Sequence, residues 1–268
     1  MVGGPRKPVL DHDTIDERTL LNDTDVRTVE HHPTLDSTNR LAMHLLDQSP
    51  ELPMLISADE QTAGRGRGGN SWWSPAGALM FSVVMERPEA AAELPPYSLA
   101  VGLAVRAALQ VAMGDVELKV KWPNDIFLEG RKVCGILVEV PPGHRDTLVI
   151  GIGINVNNSM TNAPQSVAET MLSMSDCNGH TFSRTTVLSA VVNQVIDAVT
   201  NIKDATVADR WSQHCWLTGK QVSIQRGERI DTGDCVGINP AGALLLNTAD
   251  GELIISSGSV IGIGQPAG

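Results

Sequence analysis

The sequence predicts an α/β molecule, an α+β arrangement on a mixed sheet, with a small separate β unit at its C-terminal end. Three observations predict it. Strand-like apolar runs, among them Ala78–Met85 and Thr147–Val156, are interspersed with helical stretches along most of the chain. One of those stretches, Thr185–Ile202, sets Val187, Leu188, Val191, Val192, Val195, Ile196 and Val199 on a single apolar stripe. From Leu217 the texture changes to short strands parted by Arg226-Gly, Asn239-Pro-Ala-Gly and Asp250-Gly turns, the pattern of a small β-barrel. With 268 residues, 42% of them hydrophobic, the chain has material for one large core and one small one. It divides into a polar tail (1–30), a body (31–216) and the β unit (217–268).

Residues 1–30 are acidic, polar and flecked with Pro and Gly, which predicts a tail with one short strand near Val26–Val29. They are too few and too polar for a helix-turn-helix domain. A helix is expected within 34–48, where Leu41, Leu45 and Leu46 recur at helical spacing and Asp36, Ser37 or Thr38 can cap the start. Ser37-Thr38-Asn39 is either a cap alone or a cap that also turns hydroxyl and amide groups toward a polar ligand. Met54–Ala58 reads as a strand, as does the buried run Ala78–Met85. An apolar helix follows from Pro95 to Met113 and stops at Gly114.

Val116, Leu118 and Val120 then alternate with Glu117, Lys119 and Lys121, as in a half-buried strand. Pro123 cannot donate to a sheet ladder, so this strand ends at Lys121-Trp-Pro-Asn-Asp125, with Lys121 at its mouth. That lysine either reaches an anion or is simply solvated, and Trp-Pro-Asn-Asp is a costly choice for a mere turn. Ile126–Leu128 and Val133–Val140 form a predicted hairpin, and Thr147–Val156 a strand with internal glycines. Gly135 and Gly153 mark either close approach of a ligand or tight packing. Asn155 and Asn157 are amide readers of a base edge or turn formers. Short helices are expected at 164–176 and Ala205–Trp216. Strands are expected at Val222–Ile224, Cys235–Ile238, Ala243–Leu246 and Glu252–Ile255.

The most informative stretch runs from Ala58 to Ser74. Four glycines fall between Gly64 and Gly69, with Arg65 and Arg67 among them and Trp72 and Trp73 behind. Glycine admits positive φ and close backbone approach, arginine offers a planar fork of donors for phosphate or carboxylate, and tryptophan covers an apolar ring. Together they describe a flexible loop that closes over an anionic small molecule. Gly64, Gly66 and Gly69 also match G-x-G-x-x-G, but a dinucleotide fingerprint must open a helix, and Pro75 and Gly77 forbid a long one here.

A net charge of −11 makes the chain a poor general binder of nucleic acid, so its arginine loop points to a specific anion. The four cysteines, Cys134, Cys177, Cys215 and Cys235, are scattered without a C-x-x-C pair, which fits a reducing compartment and gives no expected metal ligands. The N-terminus lacks a basic-then-apolar signal. Leu99–Met113, broken by Arg106 and Gln110, is too short and polar to span a bilayer.

Five motifs, Asp36-Ser-Thr-Asn39, Gln61-Thr-Ala-Gly-Arg-Gly-Arg67, Lys121-Trp-Pro-Asn-Asp125, Lys132-Val-Cys-Gly-Ile-Leu-Val-Glu139 and Gly151-Ile-Gly-Ile-Asn155, occur in an order that resembles the bacterial biotin–protein ligases. The similarity covers roughly residues 30–264 and the minimal type without a DNA-binding domain. It implies a mixed-sheet catalytic domain of the biotin/lipoate ligase type with an SH3-like C-terminal barrel. It also implies a cytoplasmic enzyme that joins biotin and ATP, with Mg²⁺, into biotinyl-5′-AMP. Biotin would then pass to a lysine of a biotin carboxyl carrier protein of acetyl-CoA carboxylase.

By the same resemblance Ser37, Thr38, Asn39 and Gln61 line the biotin pocket, with the Gly135 backbone near the ureido ring. Arg65, Gly66 and Arg67 close over biotin and the adenylate. Lys121 contacts the biotin carboxylate and the phosphate, Trp72 covers the adenylate, and Asn155 lies near adenine. Lys121 and Arg67 are the expected catalytic residues, and no DNA or membrane partner is implied. Gly68-Gly69-Asn70-Ser71 carries less positive charge than the loop of the repressor members, a departure that bears on loop-mediated homodimer formation more than on catalysis. The rival readings are a lipoate–protein ligase or octanoyl transferase of the same fold, and a non-enzymatic regulator that binds DNA. The transferase needs a cysteine nucleophile, and Cys134 is tempting but sits in an apolar strand.

Overall fold

The computed structural model describes residues 13–88, 94–202 and 204–264. Helix α1, Glu17–Asp23, is capped by Asp16, whose carboxylate accepts from the Arg18 and Thr19 N–H groups. Strand β1, Thr28–Leu35, follows. The expected polar tail is therefore corrected: the described part of it is docked, and its strand begins two residues later than Val26. Leu20 is fully buried, with Ile15 and Val26 beside it in the core. Arg184 ties the segment down through ion pairs to Asp13 at 2.7 Å and Asp59 at 2.8 Å. The anchors lie far away in sequence, so composition alone does not reveal them. Residues 1–12 of the expected tail lie outside the described residues.

Helix α2 spans Thr38–Leu45, strand β2 Met54–Gln61 and strand β3 Leu79–Glu86. Helix α3, Leu94–Met113, leads to β4 (Leu118–Lys121), β5 (Asp125–Leu128), β6 (Arg131–Glu139) and β7 (Thr147–Ile154). These strands form one seven-stranded sheet in the order β1-β2-β3-β7-β6-β5-β4. Only the β1–β2 pair is parallel, so the sheet is mixed as expected. Short helices α4 (Gln165–Ala168) and α5 (Met174–Asn178) replace the single helix expected at 164–176, and α6 (Arg184–Thr200) and α7 (Asp204–His214) complete the helical layer.

The alternation of side chains along each strand sorts the two faces of the sheet. Leu55, Leu79, Phe81, Val83, Ile150 and Ile152 join the main core with α3 and α6. Met54, Ile56, Val84 and Val149 point the other way, against Ala42 and Leu46. By length and composition α3 is apolar enough to cross a bilayer. Here it is the core helix, with Tyr97, Val101, Val105 and Leu109 fully buried.

The C-terminal unit is a five-stranded antiparallel sheet: β8 (Gln221–Arg226), β9 (Arg229–Ile238), β10 (Leu244–Thr248), β11 (Gly251–Ile255) and β12 (Ser259–Gly264), ordered β11-β10-β9-β8-β12. The fifth strand, β12, escapes the sequence reading because its glycines weaken the strand pattern. Buried Trp122 fastens this unit to the body by donating its indole N–H to the Gly242 carbonyl at 3.0 Å.

Candidate active site

The face of the sheet away from α3 and α6 carries three bare positions in neighbouring strands. Gly135 on β6 pairs directly with Gly153 on β7, and Gly151 lies two residues back on the same face. Each bare spot is filled by a side chain from elsewhere. A Cβ at Gly151 would fall 2.1 Å from the Asn39 Oδ1, one at Gly153 2.3 Å from the Trp72 Nε1, and one at Gly135 3.1 Å from the Trp72 ring. The close approach expected at Gly135 and Gly153 is thus made first by the protein's own tryptophan. Trp72 forms part of the cavity floor, and its indole N–H finds no acceptor among the described protein groups.

Above this floor lies a cavity of about 780 Å³. At one end Asn39, 3% exposed, is fixed on every side: Ser82 Oγ donates to its Oδ1 at 2.6 Å, and its Nδ2 donates to the Glu139 carboxylate at 2.8 Å. Gln61 accepts from the Thr38 N–H at 2.8 Å and donates to Ser74 Oγ at 3.0 Å, joining the start of α2 to the far end of the loop. Ser37 occupies the N-cap position of α2 but makes no side-chain cap bond. A polar group there that does not cap its helix, held beside Asn39 at the cavity wall, favours the ligand-facing alternative.

The other end is cationic. The loop leaves β2 and folds on itself through Gly66 N–H to Asn70 carbonyl (2.7 Å) and Trp72 N–H to Gly64 carbonyl (2.9 Å). A single turn at Arg67–Gly69 needs φ of +64° at Gly68 and +83° at Gly69. This presents Arg67 to the cavity. Lys121 and Asp125 face one another where β4 turns into β5. The Lys121 Nζ lies 4.9 Å from the centre of the Phe127 ring, and Phe127 stacks on Trp216.

Burial disfavours the charged forms of Arg67 and Lys121, moving both below their ordinary ranges. Asp125 opposes the shift in each case, and Lys132 reinforces it at Lys121. Among the described residues neither forms an ion pair, and the nearby carboxylate of Asp125 pairs instead with Lys132 at 2.6 Å. Two partly desolvated cations that lack an ionic partner form a preorganised site for an anion.

Comparison with known proteins decides what kind of site this is. Residues 32–157 match the Biotin/lipoate A/B protein ligase family and residues 217–261 the biotin protein ligase C-terminal domain. The bifunctional ligase/repressor BirA of Escherichia coli is 32% identical over 87% of this chain and 73% of its own length. The biotin–[acetyl-CoA-carboxylase] ligase of Paracoccus denitrificans is 30% identical over 84% of this chain and 96% of its own. The chain belongs to the biotin/lipoate protein ligase family. Its fold agrees with that of the Aquifex aeolicus biotin protein ligase solved with biotin and ATP, at a TM-score of 0.77, 28% identity, and coverage of 89% of this chain and 99% of that one.

Within this biotin/lipoate ligase fold, Ser37, Thr38, Asn39, Gln61, Arg65, Gly66, Arg67, Trp72, Lys121 and Gly135 all line the one cavity. Asn155 does not: it is fully buried, its Oδ1 accepting from Asn158 Nδ2 at 3.0 Å, so the structure does not bring it to the cavity wall beside the others. Cys134 is also fully buried, which pushes its thiol well above the ordinary cysteine range and leaves no nucleophilic thiolate.

Sequence reasoning missed Asp125, Lys132 and Glu139 as members of the site, although all three lie inside the motifs quoted above. The β unit also contributes to the wall through Gln225, Arg226, Gly227 and Ser257–Val260. Its Arg226-Gly signal reads as a plain turn in sequence.

Proposed function

We propose that this chain is an ATP-dependent biotin–protein ligase that makes biotinyl-5′-AMP and transfers biotin to a lysine of a carboxylase carrier protein. The observation that carries the reading is the pairing of a neutral, hydrogen-bonding end (Ser37, Thr38, Asn39, Gln61) with a cationic end whose Arg67 and Lys121, among the described residues, form no ion pair, in one cavity. The relatives named above, ligases for biotin and acetyl-CoA carboxylase, support the same assignment.

In the first step an oxygen of the biotin carboxylate attacks the α-phosphorus of ATP and pyrophosphate leaves. Two anions must meet, and Arg67 and Lys121 neutralise the charge that otherwise keeps them apart. The wall built by Asn39 and Gln61 has its hydrogen bonds already set, so it aligns the bicyclic ring without reorganisation. Closure of the glycine loop then keeps water from the anhydride. In the second step the neutral amine of the carrier lysine attacks the anhydride carbonyl and AMP leaves, which requires no nucleophile of the enzyme.

Mg²⁺ enters with the nucleotide. Among the described residues no three acidic or histidine side chains cluster, and Asp125 and Glu139 are held by Lys132 and Arg65. Bound with the nucleotide, it would supply further charge neutralisation on the phosphates beside Arg67 and Lys121. A biotin carboxyl carrier protein is the proposed acceptor. Free cysteines throughout accord with work in a reducing cytoplasm.

The test is pyrophosphate release with biotin, lipoate and octanoate in turn. Release with biotin alone is expected. Release with lipoate would move the chain to the other branch of its family, and silence with all three would overturn the enzymatic reading.

A further inference from the structure

Glu139 stands at the end of β6 with both carboxylate oxygens in use. Its Oε2 accepts from Asn39 Nδ2 at 2.8 Å. Arg65 of the glycine loop approaches the same carboxylate with both guanidinium nitrogens, Nη2 to Oε1 at 3.0 Å and Nη1 to Oε2 at 3.4 Å. One residue therefore connects the neutral wall of the cavity to the glycine loop. Arg65 lines both the main cavity and a second one of about 460 Å³ that Glu139 also lines.

We propose that Glu139 is a positioning residue that latches the loop. In the ligand-free protein it parks Arg65 against β6 and orients Asn39, and it releases Arg65 to the nucleotide phosphate on loop closure. The geometry favours such an exchange. The Arg65 side chain is 40% exposed and that of Glu139 21%, so the pair is weak enough to be broken by a phosphate that carries more charge. Asn39 is 3% exposed and keeps its Ser82 and Leu137 partners, so it holds its place when Arg65 leaves. Around Gly68 and Gly69 there is open space, so movement of the tip meets no packed neighbour at these two positions. The resting latch is independent of the assigned reaction, whereas the hand-over to phosphate rests on the ligase reading.

The test separates the two. Trypsin must take the Arg65 guanidinium into its own pocket, so the Glu139 pairing competes directly with cleavage there. In ligand-free protein Glu139→Gln, which preserves an acceptor for Asn39 but loses the ion pair, should raise the cleavage rate after Arg65 and Arg67 by roughly two- to fivefold. Rates at Arg145 and Arg210 should not change, and saturating biotin with ATP should protect variant and wild type equally. Glu139→Ala removes the Asn39 acceptor as well, and should raise the KM for biotin beyond that of Glu139→Gln.

Equal ligand-free cleavage of Glu139→Gln and wild type would overturn the latch, as would an acceleration that extends to Arg145 and Arg210. Unequal protection by biotin and ATP would overturn the hand-over. If the wild type released no pyrophosphate with biotin, the ligase reading would fall and the ligand-free cleavage result would still judge the latch.

Discussion

Lys121 and Arg67 are the side chains whose loss should be felt most. Neither has an ionic partner among the described residues, so each is available to phosphate, and truncation removes charge that matters most in the transition state. Lys121→Ala and Arg67→Ala should each lower biotin-dependent pyrophosphate release by about 10²–10³-fold. A variant with wild-type turnover would remove that residue from the mechanism.

The burial that lowers Lys121 below the ordinary lysine value of 10.5 also sets a pH dependence. In the proposed mechanism the protonated form is the active one, and rising pH removes the proton. The rate should therefore fall on the alkaline side, beginning below 10.5. Plotted as kcat/KM for ATP, the profile reports the free enzyme. A profile flat to that value would show that Lys121 is not titrating in the active form. Arg65, Arg67 and Lys121 stand out in the sequence because their neighbours are unusual. Glu139 and Lys132 do not, because the pairings that recruit them, with a loop and with the next strand, are made by folding.

Among the elements, the glycine-bearing pair β6–β7 does most to shape the site. The sequence marks Gly135 and Gly153 as places of close approach but does not say what approaches, since Trp72 and Asn39 arrive from other elements. Gly151→Ala should weaken biotin binding by about tenfold or more, because its Cβ would displace the Asn39 amide. Calorimetric titration with biotin and, separately, ATP measures this, and a parallel loss of both would point to a general distortion instead. The junction formed by Trp122 is a second test at this scale. Trp122→Phe leaves the buried Gly242 carbonyl without its donor and should cost about 1–3 kcal/mol in denaturant unfolding. No change would mean that the β unit is held by packing alone. Helix α1 shows the limit of pattern reading: seven residues with one buried leucine give no periodic signal, and the Arg184 ion pairs that hold its approach are visible only in three dimensions.

For the whole molecule, a charge of −11 on 268 residues opposes non-specific attraction to nucleic acid, even though one loop is rich in arginine. Random duplex DNA at low salt should migrate unshifted with the protein at micromolar concentration, and a salt-sensitive retardation would revive a regulatory role. The two-part plan was readable because its signals are local: helical stripes in the body and short strands with glycine turns after Leu217. The seven-strand order was not readable, because β7 lies between β3 and β6 and that neighbourhood is set by long-range pairing.

The glycine floor carries a further consequence, for the gene. A glycine codon changed at its first or second base specifies a residue with at least a β-carbon, or else a stop. At Gly151 and Gly153 that carbon would land 2.1 and 2.3 Å from an existing side-chain atom. No single-base missense step at these two codons is sterically silent, so this part of the floor resists gradual drift toward a pocket of another shape. Inheritable change of ligand has to begin elsewhere, at side chains such as Gln61 or Glu139, where one base can alter a hydrogen bond without closing the cavity.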